Sequence, residues 1–144
     1  MNAANLRSLC VTRHFDASAE SVFDAWLDPA TVGHWLFATD TGVMVRVDID
    51  ARVGGRFVLT DRRGSEDVEH VGEYLVLDRP HRLVFRFTVP KYSPLSTRVT
   101  IDLASVDGGC ELVLTHEGVL PEWAEATRRG WGDILARLAG NLHR

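Results

Sequence analysis

From about Val43 to Gly118 apolar and polar residues alternate with a period of two, and on either side of this stretch the spacing becomes helical. Val43, Val45, Val47 and Ile49 alternate with Met44, Arg46 and Asp48, and Phe57 and Leu59 follow the pair Gly54-Gly55. Leu83, Phe85 and Phe87 alternate with Arg82, Val84 and Arg86; Val99, Ile101 and Leu103 with Arg98, Thr100 and Asp102; Leu112, Leu114 and His116 with Glu111, Val113 and Thr115. Each run has one apolar and one mostly polar face, the pattern of an antiparallel sheet covered on one side. The breaks are turn chemistry: Arg63-Gly64-Ser65, Asp78-Arg79-Pro80 and Asp107-Gly108-Gly109. Connections this short leave no room for crossover helices, so the sheet is predicted to be a meander. Only Val71–Leu77 has no defined register, because Glu73 interrupts one face and Gly72 the other.

Before the sheet, Leu9 to His14 reads as a strand and Ser18 as the cap of a helix from Ala19 to Leu27, with Glu20 favourably placed in its first turn. Val22, Phe23 and Trp26 form its apolar stripe. Asp28-Pro29 ends it, and Pro29 is predicted to open a second short helix carrying Val32, Trp35 and Leu36. After the sheet, Pro121 opens a helix reaching Leu142, with a stripe of Thr127, Trp131, Ile134 or Leu135, Leu138 and Leu142. At the helical rise it would be about 33 Å long, enough to cross the concave face of a six- or seven-stranded sheet. Gly130 inside this helix costs roughly 1 kcal/mol relative to Ala. Close approach of the helix to the sheet or to the short helices is the expected reason, with Trp131 beside it turned toward the interior.

Length and composition narrow the reading. The 144 residues, 45% hydrophobic and 25% charged, fit one globular domain over residues 1–144. A net charge of −4, with basic runs no longer than Arg62-Arg63 and Arg128-Arg129, argues against nucleic acid as a partner. Cys10 and Cys110 sit in apolar strand-like runs and are expected to be buried, reduced thiols. The N-terminus lacks a basic region followed by an apolar core, and no apolar stretch approaches the roughly 20 residues of a membrane span, so a cytoplasmic protein is expected. The histidines (His14, His34, His70, His81, His116 and His143) show no metal-ligand spacing. No nucleophile elbow and no phosphate-binding glycine loop is present, so neither a metal nor a cofactor is expected.

Five pieces in order carry a resemblance: Val22-Phe23-Asp24-Ala25-Trp26 with Asp28-Pro29 and Trp35; Gly54-Gly55-Arg56-Phe57; Gly72 through Pro80 to Arg82-Leu83-Val84-Phe85; Gly109-Cys110-Glu111-Leu112-Val113-Leu114-Thr115-His116-Glu117-Gly118; and Gly130-Trp131. Over about Leu9 to Leu142 the chain resembles the START-like (SRPBCC) superfamily, in the branch of the C-terminal domain of the activator of Hsp90 ATPase. It departs from that pattern at Leu36-Phe37-Ala38-Thr39, where a second aromatic or Pro-rich stretch is frequent, and at Cys110, where Thr is common. The resemblance implies an α+β helix-grip fold: a curved antiparallel sheet around the C-terminal helix, two short helices after the first strand, and a cavity between sheet and helix.

Such a cavity is expected to hold a small hydrophobic or aromatic ligand. Alternation and the helical stripe assign its lining to Val45, Val47, Phe57, Leu59, Leu83, Phe85, Val99, Ile101, Leu112, Leu114, Trp131 and Leu138, with Trp35 near the mouth. His116 shares the inward face of its strand with Leu112 and Leu114. There it either hydrogen-bonds or exchanges protons with a bound molecule, or has its ring satisfied by a backbone carbonyl and simply closes the cavity. Trp131 is either a core filler or a cavity residue whose indole nitrogen seeks a partner. The resemblance also admits a cyclase- or hydrolase-type enzyme using His116. It further admits a protein-interaction role with a chaperone partner in the stress response, expected less because the chain reads as one domain. It leaves a homodimer open.

Overall fold

In the computed structural model, which describes residues 5–142, the chain runs β1 (Arg7–Phe15), α1 (Ala19–Ala25), one turn of 3-10 helix (Val32–His34), β2 (Val43–Ile49), β3 (Arg56–Arg63), β4 (Glu66–Asp78), β5 (Arg82–Thr88), β6 (Thr97–Val106), β7 (Gly109–Val119), a second 3-10 turn (Pro121–Trp123) and α2 (Ala124–Leu142). The seven strands form one sheet in the order β1-β7-β6-β5-β4-β3-β2, antiparallel throughout. The meander from β2 to β7 is therefore as predicted, and β1 closes onto β7. With α2 on the concave face, the architecture is the expected α+β helix grip.

Local sequence chemistry explains the helix ends. The Ser18 hydroxyl accepts from the Ser21 N–H at 3.1 Å and caps α1, which ends at Ala25, two residues before the predicted Leu27. The Asp28 carboxylate accepts from the Ala30 N–H at 3.0 Å and the Thr31 hydroxyl at 3.1 Å, a side-chain turn that holds the chain after α1. The next element is only a 3-10 turn, shorter than the predicted second helix, but this segment still buries Val32, Trp35 and Leu36. Within the Val22–Trp26 motif, Val22, Phe23 and Trp26 enter the core, while Asp24 faces out to a two-point ion pair with Arg79 at 2.8 and 2.9 Å.

Two bulges correct the predicted faces. In β2 the register shifts between Met44 and Arg46, so Val45 is the extra residue. Met44, Val47 and Ile49 pack against the core, whereas Val43 and Val45 are 61% and 41% exposed. In β4 the shift falls between Tyr74 and Val76. His70, Gly72 and Tyr74 face inward before it and Leu77, opposite Leu83, after it, which is why plain alternation could not define this strand. Phase also separates the cysteines: on β1, Leu9 is buried opposite His116, so the next residue, Cys10, is exposed. Only Cys110 is a buried thiol.

The C-terminal stripe of α2 is the predicted one, with Trp131, Leu135 and Leu138 buried. Gly130 does not serve close approach, however: a Cβ added there would meet nothing within 4 Å. Close approach does require a glycine at Gly72, paired with Phe57 in the sheet, where a Cβ would strike the Phe57 ring and come within 2.7 Å of the Arg86 carbonyl. Gly72→Ala is therefore expected to destabilise the fold by about 1–3 kcal/mol through overpacking, read as a lower urea midpoint. An unchanged midpoint would show that the Phe57 ring yields without loss.

Candidate functional site

An open cavity of about 450 Å³ lies under the N-terminal half of α2. Phe87 and the residues 89–96 that join β5 to β6 form one wall, with Val89, Tyr92 and Leu95. Val119, Leu120 and Trp123, between β7 and α2, form another, and Thr127, Gly130, Trp131 and Ile134 of α2 form the roof. His70, His116 and Phe37 complete the surround, and Arg63, Asp133 and Arg137 are its charged lining residues. The size is that of a small-molecule site. Helix composition explains its position: Leu135 and Leu138 seat the C-terminal half of α2 in the core, whereas Ala126, Thr127 and Gly130 leave space under the other half.

Of the residues predicted to line the cavity, only His116 and Trp131 do so. Phe57, Leu59, Leu83 and Phe85 border a separate internal void of about 10 Å³, room for a single water at most. Trp35, Val99, Ile101, Leu112, Leu114 and Leu138 are sealed in the core. Trp35 is thus away from any mouth, edge-on to Trp26 with ring centroids 4.8 Å apart. Val47 is partly buried against the core, and Val45 lies on the sheet's outer face because of the β2 bulge. The large rings of α1 and the turn after it fill the space assigned to a ligand. Sequence reasoning missed Phe37, His70, Phe87 and the 89–96 connection. The signal for the last was its length, with apolar Val89, Tyr92 and Leu95, the longest connection in the meander from β2 to β7.

His116 belongs to a fully directed hydrogen-bond chain. The Trp131 indole N–H donates to His116 Nδ1 at 2.9 Å. Nδ1 therefore has no proton, and Nε2–H donates to the Thr97 hydroxyl at 2.8 Å. Thr97 in turn donates to the Phe87 carbonyl at 3.1 Å. The ring is satisfied, as one of the two expectations held, but by a threonine and an indole rather than a carbonyl. Burial pushes its pKa down to about 4. Both nitrogens are engaged and the neutral form is favoured, a poor arrangement for a proton-transfer group at neutral pH.

His70 is built differently. Its Nδ1–H donates to the Leu59 carbonyl at 3.2 Å, which leaves Nε2 as the unprotonated nitrogen. Burial lowers its pKa to about 4, against the opposing pull of the Leu59 carbonyl. Phe37 lies across it, with ring centroids 4.3 Å apart and planes within 6°, and also across Phe87 at 4.9 Å. This stack holds Phe37 at φ 60°, a conformation that costs a bulky residue on the order of 1–3 kcal/mol. Beside it, Arg63 Nε donates to the buried Asp61 carboxylate at 2.9 Å, and the same carboxylate oxygen accepts from Thr39 at 3.1 Å. Among the described residues, which exclude His143, no cluster of three His, Cys, Asp or Glu side chains could hold a metal ion.

Both buried histidines have folded-state pKa values near 4, below the unfolded value near 6.5. The unfolded chain therefore binds more protons between these values, so stability is full above about pH 6.5 and falls as pH drops toward 4. Each histidine should withdraw about 2 kcal/mol between pH 7 and pH 5. Urea titrations at both pH values test this: His116→Gln should remove its share of the pH dependence, and an unchanged slope would contradict the buried neutral ring.

The comparisons agree with this fold. Residues 16–143 match the family described as Activator of Hsp90 ATPase homolog 1-like protein. A crystal structure of a Chromobacterium violaceum protein is similar at 26% identity and a TM-score of 0.84, over 95% of this chain and 97% of that one. One from Rhodobacter sphaeroides is 25% identical with a TM-score of 0.80, over 94% of this chain and 91% of the other. The solution structure of an AHSA1-like protein from Aeromonas hydrophila is 23% identical with a TM-score of 0.78, over 96% and 97% of the two chains, a likeness of fold. No curated protein matches the chain. The family match spans β2 to β7 and both helices, and the chain belongs to the Activator of Hsp90 ATPase homolog 1-like family within the START-like superfamily.

Proposed function

We propose that this protein binds a small hydrophobic or aromatic molecule in the cavity under the N-terminal half of α2, as a cytoplasmic carrier or sensor rather than as an enzyme. The observation that carries the reading is an open space of about 450 Å³ lined largely by aromatic and aliphatic side chains. Its floor is held by the Trp131–His116–Thr97 chain, which gives the site a fixed shape and leaves His116 no free nitrogen for proton transfer. That closed chain is what argues against the enzyme reading.

A second reading, a protein-interaction role of the kind the family description names, is favoured by one observation. Tyr92 and Trp123 are 51% and 44% exposed and lie ring to ring at 5.9 Å beside the cavity. If a partner docks there, Trp123→Ser should abolish any stimulation of an Hsp90-type ATPase by this chain, and unchanged stimulation would contradict this reading.

Gly130 offers a direct test of the cavity, since a side chain built there enters open space. Gly130→Phe should fill part of the site and, by replacing a mid-helix glycine, keep or raise the melting temperature. Wild-type protein is expected to enhance the fluorescence of the neutral dye N-phenylnaphthylamine, and the variant to bind it at least about tenfold more weakly, or 1.4 kcal/mol. Equal binding by both would place the dye elsewhere and contradict the assignment.

A further inference from the structure

Tyr92, Trp123, Thr127 and Asp133 of the cavity lining make no side-chain hydrogen bond among the described residues, and none of the four is buried; the other polar lining groups, His70 apart, are engaged. Both nitrogens of His116 are engaged, Thr97 is bonded to His116 and to Phe87, Thr88 pairs with Ser96, and Arg137 reaches Asp40 at 2.7 Å. Thr39 is held by Asp61, and the Ser93 hydroxyl accepts from the Leu95 N–H. His70 is the exception among the buried groups that line the cavity. It is only 5% exposed and lines the cavity, its Nδ1–H is committed to the Leu59 carbonyl, and among the described residues Nε2 has no hydrogen-bond partner. A neutral imidazole on the cavity lining with a free lone pair is an acceptor that a bound donor can use.

Arg63 comes to the same end of the cavity. Its Nη2 points at the Phe37 carbonyl at 3.5 Å, and the Phe37 ring is the one stacked on His70 at 4.3 Å. Nε is held by Asp61, and Nη1 has no hydrogen-bond partner among the described residues. The cavity thus offers one acceptor and one donor close to the Phe37 ring. Asp61 already offsets the charge of Arg63, so the pair does not call for an anion. A carboxylate would turn lone pairs toward the His70 lone pair, and an ammonium would meet the guanidinium. A hydroxyl is the neutral group that supplies both a proton and a lone pair.

We infer that the ligand of this cavity is an apolar, ring-containing molecule bearing a hydroxyl of the phenol class, whose proton is accepted by His70 Nε2 and whose oxygen accepts from Arg63 Nη1. This rests on the cavity reading proposed above and adds the chemistry that orients the bound molecule. The aromatic body lies among Phe37, Phe87, Trp131 and Ile134, and the hydroxyl fixes which end enters first. The low proton affinity of His70, caused by burial, keeps its acceptor available at neutral pH.

Matched stilbenes separate this inference from the reading beneath it. Binding of para-hydroxystilbene, stilbene and para-carboxystilbene is measured by fluorescence titration against wild type and His70→Phe. The hydroxyl compound should bind wild type at least about tenfold more tightly than stilbene, and His70→Phe should abolish that preference while stilbene affinity holds. Equal binding of the hydroxyl compound and stilbene, or tighter binding of the carboxylate, would overturn the hydroxyl assignment and leave the cavity reading standing. Binding by none of the three would overturn the cavity reading itself. If His70→Phe does not fold, nitrogen NMR of the wild-type His70 ring decides. The hydroxyl compound should shift Nε2 where stilbene does not, and identical shifts with both would overturn the assignment.

Discussion

The hydrogen bond from the Trp131 indole to His116 Nδ1 ties α2 to the sheet at the point where the helix passes from packed to open. On its C-terminal side Leu135 and Leu138 are fully buried and the helix is seated. On its N-terminal side small residues face the space bounded by Phe87 and the 89–96 connection. A buried indole N–H and a buried imidazole would each be costly alone, and each satisfies the other. Thr97 completes the arrangement and carries it to the β5 backbone through the Phe87 carbonyl. Helix, β5, β6 and β7 are thereby registered to one another around the cavity without filling it.

The same bond distinguishes the two buried histidines. His116 is used up in holding the frame, so what looked like a candidate acid or base is a structural element. His70 came from the strand whose register could not be read, and it is the one left with an unused lone pair. Both are kept neutral by the same cause, burial, yet only one has something left to offer a ligand.

How much of this was legible in the sequence depends on the information that alternation and helical spacing encode. They report which side of an element is apolar, and so the sheet, the meander, the C-terminal helix and the inward orientation of Leu83, Phe85, Ile101, Leu112 and Leu114 could be read directly. They do not report a bulge, which reverses the phase for one residue's worth of chain, and so Val45 was placed on the wrong face. Nor do they say how the apolar faces share the interior. The inward residues of the sheet's centre meet Trp26, Trp35 and Leu36 and form solid core, so the ligand space moved to the end of the sheet, where a long connection and small helical residues meet. Trp131 and His116 were found because they stand at that boundary. Phe37 was hidden for a different reason: its role depends on a left-handed backbone conformation that no propensity assigns to phenylalanine.

Membership in the Activator of Hsp90 ATPase homolog 1-like family accounts for the architecture, and the functional reading rests on the site instead. Its central claim is that the space under the N-terminal half of α2 accepts a small apolar molecule. The most direct measurement is a crystal structure of the protein grown with N-phenylnaphthylamine. The account predicts density for the dye between Phe37, Phe87 and Trp131, with the Trp131–His116 bond intact. A structure in which α2 closes onto the sheet, Ile134 against Phe87, with the dye only on the surface would contradict it.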